Sequence, residues 1–234
     1  MRTTDMADEL FSAAAQPLPA GVRLATARHG GVTVTRVEIA REGLSRPRGR
    51  YVTLEMPSVS VLDERDAAVI EVCARELRAL LPPEGPVLVL GVGNRRITAD
   101  ALGPRTVQRI LVTMGAGAAP PVRGLRPVAA VAPGVAAATG LSLQQLGRTV
   151  QFSDSGLYPA QADHTRHLTR DTLGVPVVAA GIPTLMQAQE GADLVVTPRA
   201  LDSVIAHGAA LLAGSVNRAL QPRLTVQQLC WLTG

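Results

Sequence analysis

Pro86-Val87-Leu88-Val89-Leu90-Gly91-Val92-Gly93-Asn94-Arg95-Arg96-Ile97-Thr98-Ala99-Asp100-Ala101-Leu102-Gly103-Pro104 is the stretch on which the fold turns. Its first seven residues form an unbroken apolar run, the pattern of a parallel strand covered on both faces. A polar loop follows over 93–100, and Pro104 suits the first turn of a helix running to about Met114. Strand, glycine loop and helix make the repeating unit of an α/β sheet, and ligands collect outside the carboxyl ends of such strands. Gly91 and Gly93 allow a sharp turn and a close approach of backbone to substrate. Asn94 can hold the turn with its side chain or present its amide to a substrate. Asp100 stands near a helix start, where free N–H groups favour an anion. On this pattern alone the plainer reading of Asp100 is a helix cap. A dinucleotide site is excluded, because Arg96 stands where G-x-G-x-x-G needs its third glycine.

Outward from this stretch, residues 31–39 and 50–56 alternate apolar and polar and predict an antiparallel hairpin beside the main sheet. Asp63 is placed to cap a helix over roughly 64–81, with Val69, Cys73, Leu77 and Leu80 as its inward stripe. Residues 127–132 and 175–181 read as further buried strands and 148–153 as a shorter one. Thr197-Pro198 opens a C-terminal helix reaching about Leu220. The expected fold is α/β, a mainly parallel sheet with helices on both faces plus an N-terminal antiparallel hairpin. Residues 1–20 carry no period and read as a mobile arm; 21–234 read as a single domain.

A hydrophobic content of 47% over 234 residues supports a sizeable core and excludes wholesale disorder. Aromatics are only 2%, so Ala, Val, Leu and Ile build that core, and the stacking platforms of a single-strand nucleic-acid binder are missing. All 23 basic residues are arginine. The absence of lysine excludes Walker-type phosphate loops and Schiff-base chemistry, and a GC-rich codon bias is its plain cause. The net charge of +4 is mild and the arginines are dispersed, so no nucleic-acid patch stands out. Cys73 and Cys230 have no metal or redox spacing, and Cys73 reads as a buried free thiol. No apolar stretch reaches membrane length and the N-terminus shows no signal-peptide core, which gives a cytoplasmic expectation and no membrane partner. Within 163–167, His164 and His167 are spaced to share a metal if helical, against a solvated loop as the plainer reading. No metal and no cofactor is expected. No serine sits in a G-x-S-x-G elbow.

The loop resembles that of the germination (spore) protease family, in which a strand leads into G-[LV]-G-N, a short turn, and D-A-L-G-P entering a helix. Gly91-Val92-Gly93-Asn94 and Asp100-Ala101-Leu102-Gly103-Pro104 fit this pattern. The likeness continues in order through Gly49-Arg50-Tyr51-Val52-Thr53-Leu54-Glu55, Arg126-Pro127-Val128, Ala132-Pro133-Gly134-Val135 and Thr139-Gly140. Thr149-Val150-Gln151-Phe152-Ser153-Asp154-Ser155-Gly156, Thr172-Leu173-Gly174-Val175-Pro176 with Gly181-Ile182-Pro183-Thr184, and Val196-Thr197-Pro198 complete it. It covers about residues 25–220. Through the G-x-G-N and Asp loop the chain is also similar to hydrogenase maturation proteases, which share the α/β architecture.

The resemblance implies an endopeptidase that starts the degradation of small acid-soluble spore proteins, in the spore core, as germination begins. It implies a zymogen with a short N-terminal propeptide, here within the arm that carries Asp5, Asp8 and Glu9, and a homo-oligomer. It implies two catalytic aspartates, the first matching Asp100, with Gly91, Gly93 and Asn94 shaping the substrate cleft. Two nearby carboxyls suit peptide hydrolysis, because one stays protonated as acid while the other activates water.

The chain departs from the family after Gly140. Relatives continue there with a helix, a buried strand ending in a second Asp-Ala-Leu, and another helix start; here eight residues lead straight to Thr149. The second aspartate goes with that segment. Asp154 is the nearest substitute acid, against the plainer reading that it caps its own turn. The leading reading is a spore-germination endopeptidase or a close derivative, with Asp100 as acid/base. The alternative is a catalytically inactive family member that binds spore proteins or regulates an intact protease, and with Asp100 as the one carboxyl supplied the chain is expected to be inactive. A maturation-type protease recognising a metal on its target is a third reading, which Asp100 alone supports poorly.

Overall fold

A computed structural model describes residues 18–44, 46–63, 66–114, 123–133, 146–158, 167–187 and 195–234. Most of the N-terminal arm, the junction around Thr139-Gly140 and the 163–166 part of the histidine pair lie outside the described residues. In chain order the elements are β1 (Val22–His29), β2 (Val32–Ile39), β3 (Gly49–Glu55), α1 (Ala67–Leu80), β4 (Val87–Leu90), α2 (Leu102–Val107) and β5 (Val128–Val131). Then follow β6 (Thr149–Ser153), α3 (Arg170–Leu173), β7 (Ala179–Gly181), β8 (Met186–Gln187), β9 (Val195–Val196), α4 (Leu201–Leu220) and α5 (Val226–Thr233). The elements fall into two compact units, one of Met1–Pro57 with Ala138–Pro198 and one of Ser58–Ala137 with Arg199–Gly234.

The first unit is built on a five-stranded sheet of order β1-β2-β3-β6-β7, antiparallel throughout. The expected hairpin is present as β2 and β3, and β1 joins its outer edge through a turn at Gly30 (φ 59°). Cross-strand partners share a face, so Val22, Ile39, Val37 and Tyr51 gather on one side and pack with Leu24 and Leu44. The opposite parity buries Val34, Leu54, Val150 and Phe152. Tyr51, Val52, Thr53 and Leu54 are all buried in consequence, as befits the central strand.

The second unit carries the loop of interest. Among the described residues its strands are β4 and β5, which run parallel in register Val87↔Val128 to Leu90↔Val131. Val87, Val89, Val128 and Ala130 share a cluster with Ile110, Ala213, Val216 and Leu220, so α4 and the residues after α2 cover this face. α1 lies against α4 and buries Val69, Cys73, Leu77 and Leu80, the stripe expected. Its cap is Asp66, three residues beyond Asp63, with Oδ1 accepting from Ala68 N and Val69 N at 3.1 Å.

The α/β class holds, but the main sheet is not the parallel one expected. Among the described residues parallel pairing is confined to β4 and β5, and the apolar strands β6 and β7 extend the antiparallel hairpin instead. Within 175–181, Pro176 lacks an N–H and restricts Val175, so the strand shrinks to Ala179–Gly181 and Val175 is exposed. Nor do helices among the described residues cover both faces of β4. Its burial alternates, leaving Leu88 59%, Leu90 37% and, on β5, Val131 46% exposed. An apolar run alone does not reveal whether a second helical layer exists to cover it.

Helix α2 also ends seven residues before Met114. Buried Asn217 of α4 intercepts the chain: its Oδ1 accepts from Leu111 N at 2.8 Å and its Nδ2 donates to Arg109 O at 2.9 Å. Thr113 N and Met114 N then both donate to Val128 O. Helix α4 starts at Leu201, beyond the expected Thr197-Pro198. Helix α5, unforeseen, carries a readable signal in its Thr225/Gln228 capping box.

Candidate active site

The loop between β4 and α2 is fixed by close backbone contact. A Cβ on Gly91 would collide with the carbonyl of Gly103, and one on Gly103 with that of Val92, so strand end and helix start touch where no side chain fits. Gly93 takes φ 136°, and a Cβ there would run into the Asp100 carbonyl. Both Gly91 and Gly93 are buried. These residues shape the loop by making room for it.

Asp100 ends a 3-10 turn, Thr98–Asp100, immediately before α2, and is half-buried. Its Oδ2 accepts from Asn94 N at 2.9 Å, which fastens the two ends of the loop. Asn94 Oδ1 accepts from Arg96 N at 3.0 Å, and Asn94 O accepts from Ile97 N at 3.1 Å. Of the two roles open to the Asn94 side chain, holding the turn is met by its oxygen. Arg95, Arg96 and Ile97 form the exposed tip. The helix-cap reading of Asp100 is not met: among the described residues the N-cap position of α2 is Ala101 with no side-chain cap bond, and the Asp100 carboxylate turns back to Asn94 N.

Asp154 lies in the first unit, just past β6. Arg50 N donates to its Oδ1 and Arg50 Nε to its Oδ2, each at 2.6 Å, while Asp154 N donates to Arg50 O at 3.2 Å. Of the two readings of Asp154, substitute acid or cap of its own turn, the cap is not what is found: the turn is held by Ser153 Oγ, which accepts from Ser155 N at 3.1 Å. The partner 104 residues away had no local signal in the sequence. Asn94, Asp100, Gly91 and Gly93 are thus assembled in one loop, whereas Asp154 is held by Arg50.

Gly103 is the site residue that sequence reading passed over, although D-A-L-G-P held the clue: a glycine inside a first helical turn marks close packing against a strand. Among the described residues no cluster of three His, Cys, Asp or Glu could hold a metal. Two shallow concavities flank α5, lined in part by Val226, Cys230 and Trp231, and neither includes a residue of the Asp100 loop. Cys73 is buried and its thiol is pushed up to about 12, chiefly by burial, which leaves it an inert core group.

Comparison with known proteins matches the germination protease profile over residues 4–146 and again over 137–190. Germination protease of Priestia megaterium is 32% identical over 228 residues, covering 80% of this chain and 60% of the relative. That of Bacillus velezensis is 31% identical over 235 residues, covering 82% and 62%. That of Clostridium perfringens is 27% identical over 287 residues, covering 85% and 87%. The chain therefore spans about three fifths of the length of the first two relatives. The Clostridium alignment is longer than the 234-residue chain itself, so that relative carries residues without a counterpart here. The profile match comes in two pieces that overlap over residues 137–146. With the G-V-G-N and D-A-L-G-P segments joined in one loop and the profile matching most of the sequence, the chain belongs to the germination protease family.

Proposed function

We propose that this chain engages small acid-soluble spore proteins through the Asp100 loop, as a derivative of the family's endopeptidase, and holds them without cutting. One observation carries the second half of that reading. Hydrolysis by paired aspartates needs a carboxyl that keeps a proton beside one that activates water. Asp154, the substitute acid, has both oxygens accepting from Arg50 at 2.6 Å. The divided profile match supports the loss of the segment in which relatives have their second aspartate. In this reading the protein acts in the spore core as a homo-oligomer, binding spore proteins or regulating an intact protease. No helix among the described residues is long and apolar enough to cross a membrane.

The rival reading is a working endopeptidase, with Asp100 as acid/base. The architecture of its loop favours it: the carboxylate is oriented by Asn94 N, and close glycine contacts fix the loop around it. Titrating a fluorescently labelled small acid-soluble spore protein with the purified chain, and following anisotropy, tests the binding on which the first reading rests. Saturable binding is expected, and a flat titration would remove the spore-protein assignment.

A further inference from the structure

We infer that the side-chain amide of Asn94 is a peptide-binding donor, directed at a backbone carbonyl of the bound protein next to Asp100. The inference rests on the spore-protein reading and names the contact by which it operates. An asparagine amide carries an acceptor at one end and two donors at the other, and only the oxygen can accept from an N–H. Because Asn94 Oδ1 accepts from Arg96 N at 3.0 Å, the amide cannot flip without losing that bond, and Nδ2 is set on the opposite side. The backbone is fixed as well: Asn94 N donates to Asp100 Oδ2, and Asn94 O accepts from Ile97 N. Every hydrogen-bonding group of the residue is therefore engaged except Nδ2, which has no partner among the described residues. Asn94 is half-buried, so the amide is held at the surface of the loop and not sealed within it.

A donor held in this way loses little freedom on meeting a carbonyl, the condition under which a hydrogen bond contributes most to binding. The peptide backbone offers that acceptor at every residue, which suits a site that must grip an extended protein segment. The same asparagine links the two functions of the loop. Its main chain orients the Asp100 carboxylate, and its side chain would set a peptide carbonyl beside it.

The substitution Asn94→Asp separates a binding role from a structural one. The carboxylate keeps an oxygen for Arg96 N–H, so the turn is retained, but an acceptor replaces the donor that faces the peptide. Binding of labelled small acid-soluble spore protein should weaken at least tenfold while the melting temperature stays near that of the wild type. The loss should persist in 0.5 M salt, roughly where surface charge effects are screened within a few ångströms. Equal affinity of variant and wild type, or a loss that salt abolishes, would overturn the inference and leave the spore-protein reading standing. Failure of the wild type itself to bind would overturn both. Should the variant melt early, the wild-type chain supplies the readout: the Asn94 Nδ2 proton resonances must shift on adding the spore protein, and unmoved resonances reject the contact.

Discussion

Arg50 closes on Asp154 from two sides, its backbone N–H on Oδ1 and its Nε on Oδ2, both at 2.6 Å, and ties the end of β6 to the start of β3. Glycine precedes the arginine because the approach is close: a Cβ at Gly49 would lie 3.1 Å from Asp154 Oδ1. The carboxylate thus serves the antiparallel sheet.

This arrangement makes Asp154 a stabilising residue. Asp154→Ala leaves the Arg50 N–H without its acceptor and should cost about 1–3 kcal/mol. Arg50→Ala removes only the half-exposed guanidinium arm and should cost about 1 kcal/mol or less. Urea denaturation of the two variants checks the order, and a larger cost for Arg50→Ala would assign the bond network differently.

The crossing of Gly91 and Gly103 predicts intolerance to the smallest side chain. Gly103→Ala sets a methyl group against the Val92 carbonyl and should cost more than about 3 kcal/mol, or prevent folding of the second unit. Thermal melting of the variant decides; a loss below about 1 kcal/mol would mean that strand and helix are not in contact there.

The two faces of the β4–β5 sheet predict opposite sensitivities. Leu88→Gln, on the exposed face, should change stability by no more than about 0.5 kcal/mol, whereas Ile110→Ala, in the cluster beneath the other face, should cost about 2–5 kcal/mol. Comparable losses at both positions would mean that the Leu88 face is covered.

Cys73 predicts a pH signature. Burial raises its thiol from 9.0 to about 12, against a smaller opposing hydrogen bond from Ser215, so the folded chain keeps a proton that the unfolded chain releases above pH 9. The associated stability is fully present below pH 9 and is lost as pH rises from 9 towards 12, by about 1.4 kcal/mol per pH unit. Cys73→Ala should flatten that decline, measured as denaturation midpoints between pH 8 and 11; an unchanged slope would mean that the thiol is not buried.

Local chemistry was legible in the sequence, and long-range pairing was not. The loop from Gly91 to Pro104 could be read because its glycines, Asn94 and Asp100 act on one another within a few residues. The α1 stripe and the β2–β3 hairpin were likewise visible through their periods. Which strands pair with which was not, because Val150 and Phe152 look the same whether their neighbours run parallel or antiparallel. The early end of α2 depends on Asn217, more than a hundred residues downstream, and the fate of Asp154 on Arg50, equally far upstream. Neither partner leaves a mark near the residue it controls.

The most direct test is to incubate the purified chain with a small acid-soluble spore protein at equimolar concentration and follow the substrate by intact mass spectrometry. The account predicts a complex in which the spore protein stays whole. Discrete fragments that appear with the wild-type chain and vanish with a folded Asp100→Asn variant would contradict it, and would make this protein a working endopeptidase with Asp100 at its centre.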